Sequence, residues 1–185
     1  MPAPAKKILI YGVTGSGKTT LAGNLSERIG IPWHSVDDLT FEADWQPVPD
    51  EIQADRIVRI CQGDEWILDT AYGRWLEIPL AQAELIVGLD YSHWFVFQRL
   101  LRRTFMRVVD GRPVCNGNRE TLKTSFSRNS IILWQFQSFA KKRGRLRKWE
   151  KEPNGPKVIR FTNPRQTETW LKSLSRVPAT ESAGR

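Results

Sequence analysis

The stretch Gly12-Val13-Thr14-Gly15-Ser16-Gly17-Lys18-Thr19-Thr20 decides how the rest of this 185-residue chain is read. It matches G-x-x-x-x-G-K-[ST] at every fixed position. An apolar run, Lys6–Tyr11, reads as a buried strand before it, and Lys18–Ile29 reads as a helix after it, ended by Gly30 with Pro32 just beyond. Glycines let the backbone curl so that successive N–H groups point inward at phosphate oxygens. The helix start near Gly17 adds unpaired N–H groups and a positive dipole end. In this pattern Lys18 reaches the β- and γ-phosphates, and the Thr19 hydroxyl is placed to bind Mg²⁺. A turn that merely joined strand to helix would need neither residue. Gly12, Gly15, Ser16, Gly17, Lys18, Thr19 and Thr20 are therefore expected to bind ATP.

Working outward, strands and helices alternate. Trp33–Val36 reads as a strand followed by Asp37 and Asp38, and residues 39–49 read as a loop. Asp50–Gln62 has apolar residues at helical spacing. Trp66–Leu68 is a strand ending in Asp69, and Leu85–Leu89 is a strand ending in Asp90. A long helix starts at Ser92. Its Trp94, Phe97, Leu101, Phe105 and Val108 share one face, and Arg99, Arg103 and Arg107 lie opposite. Residues 110–119 read as a loop, and a further helix is expected over Glu120–Lys142. Val158–Phe161 is the last strand. Asn163-Pro164 starts a final helix running to about Ser175. The expected fold is α/β: three layers, with a five-stranded parallel sheet and helices on both faces. Ligands bind such sheets at the carboxyl ends of the strands, here the rim of Gly12, Asp37, Asp38, Asp69 and Asp90. A single domain is expected over 1–178, with a flexible tail at 179–185.

Composition excludes several classes. Hydrophobic residues make up 40% and charged residues 26%, ordinary globular usage rather than that of a disordered chain. No apolar run approaches the roughly 20 residues of a membrane helix, and the start lacks a signal-peptide core. Cys61 and Cys115 show no metal-ligand spacing and read as reduced thiols of a cytoplasmic protein. The net charge of +8 is unevenly placed. Residues 1–98 hold seven Lys/Arg against fourteen Asp/Glu, whereas residues 99–185 hold 21 against six. An anionic partner is implied: nucleic acid, a nucleotide or an anionic membrane.

The order of motifs resembles the nucleoside monophosphate kinase group, which includes adenylate kinases and shikimate-type kinases. More closely, it is similar to the small adenylate-kinase-like bacterial topology modulation proteins. GVTGSGKTT at 12–20, IPWHSVDDL at 31–39, Asp44, Trp45 and Pro47, WILDTAYGR at 66–74 and the stretch from Leu89 through Arg103 carry the likeness, over roughly residues 6–143. The resemblance implies an ATP-dependent phosphotransferase using Mg²⁺, with a nucleotide or other small molecule as acceptor. It implies a phosphate-acceptor site at Asp37 and Asp38, and Mg²⁺ organised by Thr19 and Asp69. Arg99, Arg103 and Arg107 would lead into a small lid over about 103–128, and Arg74 would meet the acceptor. Asn163 and Arg165 would lie in the loop against the adenine. Residues 69–74 depart from the family: Thr70 replaces a Gly, and Arg74 lies one place later than in adenylate kinases.

Other readings stand beside these. Asp37, Asp38 or Asp69 could simply cap a loop or end a strand. Asp90 reads as a helix cap, Tyr72 and Trp45 as packing residues, and His34 and His93 as structural. The arginine stripe could be a solvated face. Lys141–Lys148 holds six Lys/Arg in eight residues, flanked by Trp134, Phe136, Phe139 and Trp149. It reads as a solvated helix end with core aromatics. Alternatively it is the stacking surface of a nucleic-acid-associated ATPase or a polynucleotide 5′-hydroxyl kinase.

Overall fold

Five strands, β1 Lys7–Gly12, β2 Trp33–Ser35, β3 Trp66–Thr70, β4 Leu85–Leu89 and β5 Lys157–Phe161, pair in the order β2-β3-β1-β4-β5, every pair parallel. The computed structural model describes residues 5–43, 46–70, 74–110 and 131–175, with side chains except at 104, 107–110 and 131–138. Asp44, Trp45, Tyr72, Cys115, most of the expected lid, the expected tail, and the side chains of Arg107, Trp134 and Phe136 lie outside the described residues.

The central strands are apolar almost throughout because both sheet faces are covered. Ile8, Ile10, Ile67, Val87 and Leu89 face a core completed by Leu21, Ala22 and Leu25 of α1 (Lys18–Ile29) and Val96 of α5 (His93–Asp110). On the other face Leu9, Tyr11, Trp66, Leu68 and Ile86 meet Ile57 and Cys61 of α3 (Asp50–Gln62). They also meet Leu146 and Trp149 of α6 (Ile131–Glu150). Short helices α2 (Val36–Thr40) and α4 (Glu77–Leu80) and the terminal α7 (Pro164–Ser173) complete the described elements. Among the described residues, no helix is long and apolar enough to cross a membrane.

The helices over Lys18–Ile29 and Asp50–Gln62 and the strand over Leu85–Leu89 have the bounds read from the sequence. The Asn163 side chain caps α7, accepting from the Gln166 N–H at 3.1 Å. Elsewhere the structure corrects the reading. The second strand stops at Ser35, and Val36–Thr40 turns helical, with the Thr40 hydroxyl donating to the Val36 carbonyl at 2.6 Å. Two carboxylates in its first turn suit the positive end of that short helix. Helix α4 has no counterpart in the sequence reading.

The apolar stripe read on α5 is not its buried face. Trp94 and Phe105 are 65% and 63% exposed, whereas Val96 and Leu100 are fully buried. Those two pack on the glycine-rich loop, where a Cβ added to Gly15 would lie 3.1 Å from Leu100 Cβ. Helix α6 does not stop at Lys142 but continues through the basic run to Glu150. Gly144 costs a helix about 1 kcal/mol relative to Ala. Burial of Leu146 and Trp149 outweighs it, at about 2 kcal/mol or more for each large apolar side chain.

Asp90 does not cap α5. Ser92 Oγ does so, accepting from the Phe95 N–H at 3.3 Å. The Asp90 side chain is instead completely buried and accepts from three arginines: Arg143 and Arg147 of α6, and Arg160 of β5 at 3.1 Å.

Candidate active site

Three strand ends and two helices build the site. The loop after β1 holds Gly15 and Gly17 at φ of 83° and 96°, conformations that side chains with a Cβ rarely adopt. At Gly12 a Cβ would come within 2.9 Å of Ser16 Oγ and 3.0 Å of the Leu89 carbonyl. The missing side chains therefore let the loop curl tightly over the end of the sheet. Ser16 Oγ is buried there without a hydrogen-bond partner. Lys18 opens α1, is only 9% exposed, and donates to the Val13 carbonyl at 3.2 Å. Burial pushes its pKa down, opposed by the charges of Asp69 and Asp37, while Arg103 pushes it further down.

Asp69, next to last in β3, lies on the face that carries α1, level with Ser35 of β2 and Ile10 of β1. Burial raises its pKa. The Thr19 hydroxyl and the Lys18 charge pull it down, Asp37 raises it, and the Val36 N–H lowers it. Its Oδ2 is buried with no hydrogen-bond partner. Thr19 and Asp69, the expected Mg²⁺ pair, are thus in contact. Of the two expected acceptor aspartates, both exposed on α2, Asp37 is the one whose charge acts on Lys18 and Asp69.

The arginines of α5 face the same loop. The Arg99 guanidinium stands over Gly17, where an added Cβ would be 3.1 Å from Nη2, and also lies 5.6 Å from the centre of the Phe95 ring. Arg103 is half-buried and its charge reaches Lys18. Asn163 and Arg165 lie exposed beyond the end of β5, and the Asn163 side chain is engaged as the α7 cap.

A cavity of about 340 Å³ lies between α2, α3, β3 and α4, walled in part by Val36, Leu68 and Thr70, the chain neighbours of Asp37 and Asp69. Its walls include Val36, Phe41, Ile57, Leu68 and Trp75, with Thr40, Gln53 and Thr70 as polar points. Arg74 lines it too, paired with Asp50 at 2.5 Å and both largely exposed. Gln53 is held by its own contacts, donating to the Val48 carbonyl and accepting from Trp75 Nε1.

The sequence reading missed one buried lysine. Lys142 of the basic run is buried, and the charges acting on it include those of Lys18, Asp37 and Arg145. A signal was present: Lys142, Leu146 and Trp149 follow at steps of four and three, one helical face. Ending the helix at Lys142 hid it.

The parallel sheet with its strand-loop-helix nucleotide motif, covered on both faces, defines the chain as a protein of the P-loop kinase fold. The chain is similar to a sugar kinase from a Janibacter species, with a TM-score of 0.51 and 18% identity over 95% of this chain and 98% of that one. It is similar to a gluconokinase from Sinorhizobium meliloti, with a TM-score of 0.51 and 17% identity over 92% and 93%. It is also similar to a shikimate kinase from Bacteroides thetaiotaomicron, with a TM-score of 0.57 and 13% identity over 91% and 96%. At these identities the likeness is one of fold. No protein-family model matches the chain, and no curated protein matches it.

Proposed function

We propose that this protein is a phosphotransferase that moves the γ-phosphate of Mg²⁺-ATP to a small molecule held in the cavity between α2, α3, β3 and α4. The observation that carries this reading is the convergence of Lys18, Thr19, Asp69 and Asp37 at the P-loop, with the cavity walled by Val36, Leu68 and Thr70, the chain neighbours of the two aspartates. The resemblance to adenylate-kinase-like and topology modulation proteins, and the kinase fold of the structural neighbours, support it.

The residues divide the work. The loop Gly12–Thr20 binds the triphosphate through backbone N–H groups. Lys18 leaves the Val13 carbonyl to meet the β- and γ-phosphates. Arg99, over the start of α1, and Arg103 offset charge on the transferring group, with Arg107 as a third candidate. Asn163 and Arg165 border the adenine. The acceptor lies toward Arg74, with Asp37 nearest the reacting centre and Asp38 beside it. For a hydroxyl acceptor, Asp37 takes the proton as the acceptor oxygen bonds to phosphorus and the bond to the ADP oxygen breaks.

Thr19 and Asp69 fit a divalent cation: a hydroxyl on a carboxylate whose Oδ2 is buried without another partner. These two residues would hold Mg²⁺, which would supply positive charge against that of the phosphates.

The nucleic-acid reading draws less support. Of the six cations in 141–148, Lys142 is buried, Arg143 and Arg147 pair with Asp90, and Arg145 acts on the buried Tyr11 hydroxyl. Phe139 and Trp149 are buried, and Trp149 packs edge-on to Tyr11 at 4.8 Å, so neither offers a stacking face. The test is transfer of labelled γ-phosphate to a panel of nucleotides, sugar acids and polyols, run beside single-stranded oligonucleotides. A labelled small molecule supports the proposal. Label on the oligonucleotide alone overturns it.

A further inference from the structure

The cavity between α2, α3, β3 and α4 has buried walls of carbon. Ile57 of α3, Leu68 of β3, and Leu76 and Pro79 at α4 are all buried. The half-buried rings of Phe41 and Trp75 add two aromatic walls. Among the described lining residues, charge is confined to Asp50 and Arg74, which are exposed and pair with each other.

Two of the polar points inside are committed to the protein itself. The Thr40 hydroxyl donates to the Val36 carbonyl at 2.6 Å. Gln53, only 6% exposed, donates to the Val48 carbonyl at 2.6 Å and accepts from Trp75 Nε1 at 3.3 Å. The second of these bonds holds the Trp75 indole in the wall of the cavity. A sugar or a nucleobase enters such a space with several donors and acceptors stripped of water, and each one left unpaired is costly. A carbon-rich ring gains instead, in proportion to the area that it buries against Ile57, Leu68 and the aromatic walls. Size permits this: an apolar cavity of about 150 Å³ already admits benzene, and this one is about 340 Å³. An ion pair as exposed as Asp50–Arg74 contributes little to stability, so Arg74 is able to turn to an anion on the ligand.

We propose that the acceptor is a hydroxyl-bearing aromatic compound with few polar groups on its ring and one anionic substituent, the ring seated against Trp75 and the anion on Arg74. Its hydroxyl lies toward Thr70, the neighbour of Asp69 at the end of β3. This inference deepens the phosphotransferase reading and rests on it. Gln53 is then a positioning residue, acting through Trp75.

The test measures binding by calorimetry and NMR saturation transfer, with Mg²⁺ and a non-hydrolysable ATP analogue present. The probes are para-hydroxymethylbenzoate, benzyl alcohol, gluconate and uridine. Para-hydroxymethylbenzoate should bind about 10-fold or more tightly than gluconate, which carries the same charge on a polyol, and than uridine. Trp75→Leu should weaken it about 5-fold or more, and Trp75→Phe should recover part of the loss. Arg74→Gln should weaken para-hydroxymethylbenzoate but not benzyl alcohol, which has no anion. Gln53→Met should also weaken para-hydroxymethylbenzoate, and its loss should not add to that of Trp75→Leu in the double variant. Additive losses would overturn the role of Gln53. Gluconate or uridine binding as tightly as the aromatic probes would overturn the inference. So would wild-type affinity for para-hydroxymethylbenzoate in a folded Trp75→Leu protein. Transfer of labelled γ-phosphate from ATP separates the two levels. If wild type labels gluconate or uridine in preference to para-hydroxymethylbenzoate, and Lys18→Ala labels neither, only this inference fails. If Lys18→Ala transfers label as wild type does, the underlying reading fails too.

Discussion

Leu146 of α6 lies directly on Gly88 of β4: a Cβ built on that glycine would sit 2.5 Å from Leu146 Cδ1 and 2.6 Å from Cδ2. The helix lies this close because the strand offers no side chain there. The same approach sets Trp149 against Tyr11, which pairs in register with Gly88. It also brings Lys142, one turn earlier, to the rim where β1 and β4 end.

Gly88→Ala should therefore push α6 away from the sheet. A loss of about 1–3 kcal/mol, the usual cost of overpacking, is expected in chemical denaturation. Leu146→Ala, which opens a cavity at the same contact, should cost about 2–5 kcal/mol. The double variant should recover part of the loss, because the two residues touch. Strictly additive losses would show that α6 does not rest on Gly88.

Replacing Asp90 tests the arginine cluster. Asp90→Asn leaves three arginines without their shared carboxylate, in a setting where all three are partly solvated. A destabilisation of about 2 kcal/mol is expected, below the cost of breaking a fully buried pair. Denaturant midpoints measured with unchanged slope would report it. A wild-type midpoint would reduce the cluster to surface ion pairs.

Stability should also depend on pH through Lys142. Its pKa is about 6 in the folded chain and returns toward the ordinary 10.5 on unfolding. Between those values the unfolded chain binds the extra proton, so stability rises with pH across that window, and the penalty is greatest below pH 6. In nucleotide-free protein, the gain in unfolding temperature of Lys142→Met over wild type should grow as pH falls from about 9 to about 6. A gain that does not change with pH would contradict the assigned burial of that charge.

Asp69→Asn removes one charge from the candidate Mg²⁺ pair while keeping the shape of the side chain. Turnover should fall by about 10²-fold or more, and the Mg²⁺ concentration for half-maximal activity should rise. Equal Mg²⁺ dependence in both proteins would return Asp69 to a structural strand end.

Much of this architecture was legible in the sequence because its cues are local. The G-x-x-x-x-G-K-T spacing, the Gly30 stop and the Asn163-Pro164 start each act within a few residues. What escaped depends on contacts distant in sequence. Nothing near Asp90 announces that Arg143, Arg147 and Arg160 will surround it. The buried face of α5 is set by the glycine loop it covers, not by its own richest apolar stripe. The basic run looked like a solvated end because Gly144 and its charges are poor core material. Leu146 and Trp149 find their places only once Gly88 and Tyr11 are beneath them.

The central claim is that the P-loop lysine serves phosphoryl transfer to a small acceptor. The most direct measurement follows labelled γ-phosphate from ATP into a panel of small-molecule acceptors, for wild type and Lys18→Ala side by side. The account predicts a labelled small-molecule product with wild type and none above background with Lys18→Ala. Product formed equally by both proteins would contradict it.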